Sequence, residues 1–214
     1  EVLHLNIGQP DIPAPEEAMR VVREQDLKLL PYGTSQGSKV DREKLCSYYA
    51  QHYIAIEADD IIVTTGASEA ISFTLNVICD PDEEVIIPEP FYANYNGFAA
   101  AANVTVVPVV SAFEEQFKLP HMEKLEAHIT AKTKAILICN PSNPTGYLYT
   151  QEELTILGNL ALKHDLFLIV DEVYREFIYG DEKHYSVLQN PAWSEHAIMI
   201  DSVSKRYSLC GARV

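Results

Sequence analysis

Residues 134–171 read KAILICNPSNPTGYLYTQEELTILGNLALKHDLFLIVD. Lys134–Cys139 and Leu166–Val170 are apolar runs of strand length, rich in Ile, Leu and Val, and too short for buried helices. Between them, Asn140-Pro-Ser-Asn-Pro-Thr-Gly146 must be irregular, because two prolines and a glycine forbid regular pairing. Thr150-Gln-Glu-Glu153 is a capping box, which predicts a helix from there to about His164. Strand, helix and strand in this order, with strands apolar on both faces, predict a crossover between parallel neighbours.

The same grammar extends outward. Ile61-Ile-Val-Thr64, Glu84-Val-Ile-Ile87, Val104–Val110 and Ala197-Ile-Met-Ile200 read as further strands. Helices are expected after Thr65-Gly-Ala-Ser68 to about Ile78, from Pro88-Glu-Pro-Phe-Tyr92 into the alanine run at 99–102, and over His121–Ile129. Further upstream, Pro15 with Glu16 and Glu17 makes a good helix start, and Asp41–Tyr53 has helical spacing with Leu45, Tyr48, Tyr49 and His52 on one side. Leu30–Gly37 is a loop carrying Tyr32, and Leu3–Pro13 an extended entry broken by Gly8, Pro10 and Pro13. The fold class is α/β: three layers, α/β/α, around a mostly parallel sheet. No internal repeat and no clear linker interrupts it.

The 214 residues suffice for a sizeable core, and 47% hydrophobic with 22% charged residues is ordinary for a soluble globular chain. A formal net charge of −15 argues against nucleic-acid binding and against anionic membranes, and leaves room for a local cationic pocket. Cys46, Cys79, Cys139 and Cys210 form no C-x-x-C pair, and no signal peptide is visible, so they read as reduced, mostly buried thiols of a cytoplasmic protein. Asn103-Val-Thr105 is then a chance glycosylation match. His4, His52, His121, His128, His164, His184 and His196 lack metal-ligand spacing, and no metal is expected.

In such sheets ligands bind beyond the carboxyl ends of the strands. After Val63 come Thr65, Gly66, Ala67 and Ser68 at a helix start, with free N–H groups suited to phosphate. After Cys139 comes Asn143, held between prolines. After Val170 comes Asp171, a carboxylate that must find a positive partner or be neutral. After Ile200 come Ser202, Lys205 and Arg213; buried there, the Lys205 amine would be a usable nucleophile or base. Each group has an ordinary structural reading too: helix cap, proline turn, capping carboxylate, solvated loop lysine. Together, with Tyr92 and Tyr174 nearby, they make an anion cradle, a buried acid, a rigid amide and a reactive amine. That set suits pyridoxal 5′-phosphate, which needs a Schiff-base lysine and an acidic partner for its ring nitrogen.

At these residues the sequence resembles a known family. Asn143-Pro-Thr-Gly146, Asp171-Glu-Val-Tyr174 and Ser202-Val-Ser-Lys205 with Arg213 look like the signatures of the fold type I, class I/II aminotransferases. Gly8-Gln-Pro-Asp11 and Pro31-Tyr-Gly33 extend the match to nearly the whole chain, closest to the aspartate aminotransferase-like subgroup. The resemblance implies a cofactor-binding large domain over 15–214, preceded by an N-terminal segment over 1–14. It implies that Lys205 forms the Schiff base and then moves the proton, that Asp171 pairs with the ring nitrogen, and that Asn143 and Tyr174 bond the phenolic oxygen. Tyr92 would stack on the ring. Gly66, Ala67 and Ser68 would hold the phosphate together with Ser202 and Arg213, and Tyr32 would reach it from the neighbouring subunit of a homodimer. Gly8 and Asn143 would lie on the substrate side.

Family members are longer, and their later part supplies the arginine that clamps the substrate carboxylate. The chain is therefore expected to be a truncated large domain with little or no activity alone. The expected reaction is transamination between an aspartate-like amino acid and a 2-oxo acid, in amino-acid metabolism. Two alternatives stay open: another pyridoxal phosphate reaction on the same scaffold, such as elimination or cyclopropane formation, and a non-catalytic aminotransferase-like sensor. A generic nucleotide-binding domain would need a G-x-G-x-x-G or P-loop stretch, which is lacking.

Overall fold

A computed structural model describes residue 2, residues 8–29 and residues 31–214. Leu3–Ile7 of the expected extended entry, His4 included, and Leu30 of the expected loop lie outside the described residues. Helices α1 (Glu16–Arg23) and α2 (Lys39–Gln51) precede α3 (Gly66–Ile78), β1 (Glu84–Glu89), α4 (Asn94–Ala101) and β2 (Thr105–Val110). Then follow α5 (Met122–Glu126), β3 (Thr133–Cys139), α6 (Gln151–His164), β4 (Phe167–Asp171), β5 (Ala197–Ile200) and the short α7 (Val203–Arg206).

The five strands form one sheet in the order β2-β1-β3-β4-β5, every neighbour parallel. Successive side chains on a strand point to opposite faces, and both faces are apolar. Ile136, Ile138, Leu168 and Val170 pack with Leu154, Leu157 and Leu160 of α6. Ala135, Leu137 and Ile169 pack with Ile71 and Leu75 of α3 and Tyr95 and Ala99 of α4. Two such cores on one sheet are the three-layer arrangement, and they explain why the strands read as unbroken apolar runs.

The capping box forms as expected. Thr150 Oγ1 accepts from the Glu153 N–H at 3.1 Å, and a Glu153 carboxylate oxygen accepts from the Thr150 N–H at 2.8 Å. Three expectations are corrected. Ile61–Thr64 is no strand: Val63 N–H reaches the Gln36 carbonyl at 3.1 Å, but no described strand lies beside it and Ile62 faces solvent. Pro88–Tyr92 does not open a helix. Residues before proline are pushed to extended backbone, so Ile87 and Glu89, before Pro88 and Pro90, keep β1 going to Glu89, and α4 begins at Asn94. The His121–Ile129 helix is only Met122–Glu126, because His128 and Ile129 bond to carbonyls three residues back and tighten the chain out of the α-helix.

Gly158 of α6 lies against Trp193, whose ring is 1% exposed. A Cβ on Gly158 would fall 2.3 Å from that ring. Alanine favours a helix by up to about 1 kcal/mol over glycine, but forcing a methyl into a filled core costs about 1–3 kcal/mol. Gly158→Ala is therefore expected to destabilise the fold, seen as a lower urea midpoint at unchanged slope; an equal or higher midpoint contradicts the packing described here.

Candidate active site

The registers of β3, β4 and β5 bring Cys139, Asp171 and Ile200 into line at one edge of the sheet. The segments that leave this edge enclose a cleft of about 810 Å³. From the β3 exit comes Asn143, from the β4 exit Asp171 and Tyr174, and from the β5 exit Ser202, Lys205 and Arg213. Ala67 and Ser68 line it from the start of α3, Tyr92 from the turn before α4, and Gly8 from the N-terminal segment. Of the residues singled out from sequence, ten line this one cleft. Gly66 sits immediately behind it, and Tyr32 is fully exposed and outside it.

Asp171 ends β4 and is 5% exposed. Its carboxylate accepts from the Tyr95 hydroxyl at 2.8 Å and from the Val173 N–H at 3.3 Å. Burial pushes the Asp171 carboxyl up, to about 6, and the two donors only partly oppose that shift. The group is poised to accept a cationic partner in the cleft, since a nearby positive charge favours the ionised form. Lys205 is half-buried rather than sealed, because α7 turns Ser202 and Ser204 inward and leaves Lys205 facing the opening, where its ammonium donates to the Gly8 carbonyl. Tyr174 is half-buried as well; burial, then Cys139 and Asp171, push its hydroxyl up to about 12.

The start of α3 is built by close approach. Gly66 has φ of +74°, a conformation that glycine adopts without a Cβ penalty. A Cβ there would also lie 2.6 Å from a guanidinium nitrogen of Arg213. Arg213 is held by the Thr65 carbonyl at 3.3 Å and the Cys210 carbonyl at 3.1 Å, so its charge sits over the first turn of α3. A helix N-terminus plus a guanidinium is a site for an anion. Ser202 caps α7, its oxygen accepting from the Ser204 N–H at 3.1 Å.

Tyr95 is a residue that sequence reasoning passed over. It is 1% exposed, bonds Asp171, and meets the Tyr92 ring edge-on at 5.4 Å between centroids. A signal existed: Tyr95 lies three residues past Tyr92 on the inward face of an apolar helix, and a buried phenol needs an acceptor. Among the described residues no group of three or more His, Cys, Asp or Glu is placed to hold a metal ion.

A sequence model of the family described as aminotransferase class I and II matches residues 1–214. The chain is 36% identical to the aspartate aminotransferase of Bacillus subtilis (strain 168), over 225 residues, covering 100% of this chain and 55% of that protein. To the asparagine–oxo-acid transaminase of Streptococcus mutans it is 34% identical, over 221 residues, with 100% and 55% covered. Among solved structures, the aromatic aminotransferase from Pyrococcus horikoshii OT3 superposes with a TM-score of 0.92 at 32% identity, covering 98% of this chain and 56% of that one. The aspartate aminotransferase of Thermus thermophilus with maleate gives 0.89 at 31% identity, covering 98% and 54%. The chain thus spans about half the length of the curated relatives it matches.

The buried acid has a pH signature in the cofactor-free protein. Its folded pKa, about 6, exceeds the ordinary 3.8, so the folded state holds the proton more tightly than the unfolded state. The stabilisation is full below pH 3.8 and is lost as pH rises through about 6. At about 1.4 kcal/mol per unit this amounts to at most about 3 kcal/mol. Denaturant titrations should show the stability of the parent falling relative to Asp171→Asn across that window; a constant difference rules out the raised carboxyl.

Proposed function

Because the chain belongs to the class I and II aminotransferases, we propose that it carries the cofactor half of a pyridoxal-phosphate-dependent aminotransferase acting on an aspartate-like amino acid and a 2-oxo acid. One observation carries this reading: a lysine, a buried carboxylate and a guanidinium-capped helix start share one cleft. The fit is chemical. Gly66 leaves room where a Cβ would meet Arg213, and among the described residues Asp171, with two donors, has no hydrogen-bonded cationic partner.

Pyridoxal phosphate, when bound, supplies an aldehyde carbon for a primary amine and a ring that takes up negative charge when its nitrogen is protonated. Asp171 would hold the proton at that nitrogen. Asn143 and Tyr174 would bond the phenolic oxygen, and Tyr92 would lie against the ring. Gly66, Ala67 and Ser68 present N–H groups to the phosphate, joined by Ser202 and Arg213. Lys205 would be the primary amine that holds the cofactor's aldehyde carbon. Its amine would also be the base that holds and moves a proton at the substrate Cα, so that one residue could serve as nucleophile and as base. Gly8 and Asn143 border the substrate. The half-buried setting suits that double role, since Lys205 must reach solvent-borne substrate and the cofactor in turn.

The proposal extends to organisation. Residues 15–214 form the cofactor-binding large domain, preceded by the 1–14 segment, in a cytoplasmic homodimer where the exposed Tyr32 reaches the partner's phosphate. No described helix is long and apolar enough to cross a membrane.

Adding pyridoxal phosphate to the purified chain is expected to give a visible absorption band that borohydride fixes onto the peptide containing Lys205, as read by mass spectrometry. Lys205→Ala should show neither band nor label. Equal spectra from parent and variant, or label on another lysine, would sink the assignment.

A further inference from the structure

Behind the cleft runs a row of charged side chains that do not line it: Glu172, Arg175, Asp201 and Arg206. Their side chains are 0%, 1%, 10% and 5% exposed, an unusual depth for four charges. Arg175 binds Glu172 through Nε at 3.1 Å and a terminal nitrogen at 3.0 Å. Glu172 also accepts from the Ser186 hydroxyl and the Val187 N–H, both at 2.9 Å. Arg206 donates to the Tyr48 hydroxyl and to Asp201, and reaches Glu176 at 3.4 Å.

Asp201 is the joint of this row. One carboxylate oxygen accepts from the Ser202 N–H at 2.8 Å and from Arg206; the other accepts from the Tyr49 hydroxyl at 3.0 Å and from Arg175 at 3.3 Å. Four donors fill the capacity of an ionised carboxylate. They come from helix α2, the loop after β4, the turn after β5 and helix α7. The two guanidiniums also lie over the rings of Tyr49 and Tyr48, at 5.2 and 4.9 Å from the centroids.

Each member of the row is the sequence neighbour of a cleft residue: Glu172 of Asp171, Arg175 of Tyr174, Asp201 of Ser202, and Arg206 of Lys205. Holding one fixes the direction of the other. Stability alone is a poor reason for such a row, because well-packed apolar side chains often stabilise a fold as much as or more than buried ion pairs. Geometry is a better one, since a misplacement of about 1 Å at a reacting group can cost about a hundredfold in rate.

We propose that Asp201 is a positioning residue for Lys205: through Arg206 and the Ser202 N–H it locks the turn after β5 to helix α2 and to the Arg175 loop, and so aims the Lys205 amine into the cleft. The proposal rests on the reading of Lys205 as covalent anchor, and the test separates the two. The variants are Asp201→Asn, Arg206→Gln and Arg206→Lys, each checked for folding by circular dichroism.

Without cofactor, limiting acetic anhydride should acylate Lys205, relative to the exposed Lys44, several-fold more in Asp201→Asn and Arg206→Gln than in the parent. Arg206→Lys, which keeps a charged donor for Asp201, should return to the parent ratio. With pyridoxal phosphate, the Lys205-dependent band should form at least about tenfold more slowly in the first two variants and recover in the third. An unchanged Lys205 to Lys44 ratio in folded Arg206→Gln overturns the positioning role whatever the cofactor does. A changed ratio in a protein whose parent never forms the band supports positioning and overturns the cofactor reading alone. Should Asp201→Asn not fold, Tyr49→Phe, which deletes one donor without adding volume, replaces it, with the same direction expected in both arms.

Discussion

The whole arrangement hangs on one constraint, the shared register of β3, β4 and β5. Parallel pairing puts Cys139, Asp171 and Ile200 side by side, and the ladder runs one residue further, with Asn140 N–H on the Asp171 carbonyl at 2.9 Å and Glu172 N–H on the Ile200 carbonyl at 2.8 Å. Three chain exits are therefore level with one another, and what each carries next arrives at one place. A slip of a single residue would exchange the two faces of a strand and send Asp171 to the side now taken by Glu172.

Those two adjacent carboxylates are both pushed up by burial, and they differ in their partners. Both are buried. Glu172 has a guanidinium, a hydroxyl and an N–H around it; burial raises it, Arg175 works against that, and Arg175 holds its own proton more firmly than usual, the pull of Glu172 and Asp201 outweighing desolvation. Asp171 has a phenol and one N–H, both neutral. One acid is closed into an ion pair; among the described residues its neighbour is bonded to neutral donors alone.

Much of this was legible in the residues. The runs 84–87, 134–139, 166–170 and 197–200 are short and apolar, as strands of a covered parallel sheet should be, and the groups after the last three emerge together. The segment 61–64 was misread because its composition is strand-like while pairing depends on a neighbour, which composition does not encode. Pro88 and Pro90 suit a helix start by composition, whereas their effect on the preceding residue prolongs β1. Tyr95 and Asp201 escaped because each acts through a partner far along the chain, 76 residues away for Tyr95 and 152 for the Tyr49 contact of Asp201. Such pairings follow from topology, and no local pattern announces them.

The cleft draws on residues from Gly8 to Arg213, and this dispersal governs how the site comes into being. No hairpin or helix pair contains it, so no local unit can form it ahead of the sheet. Closing such distant contacts is slow compared with helix formation, which places the site among the late products of folding. The same dispersal acts in reverse: a local opening that parts β4 from β5 abolishes the cleft in one event, so the site shares the cooperativity of the sheet rather than fraying on its own.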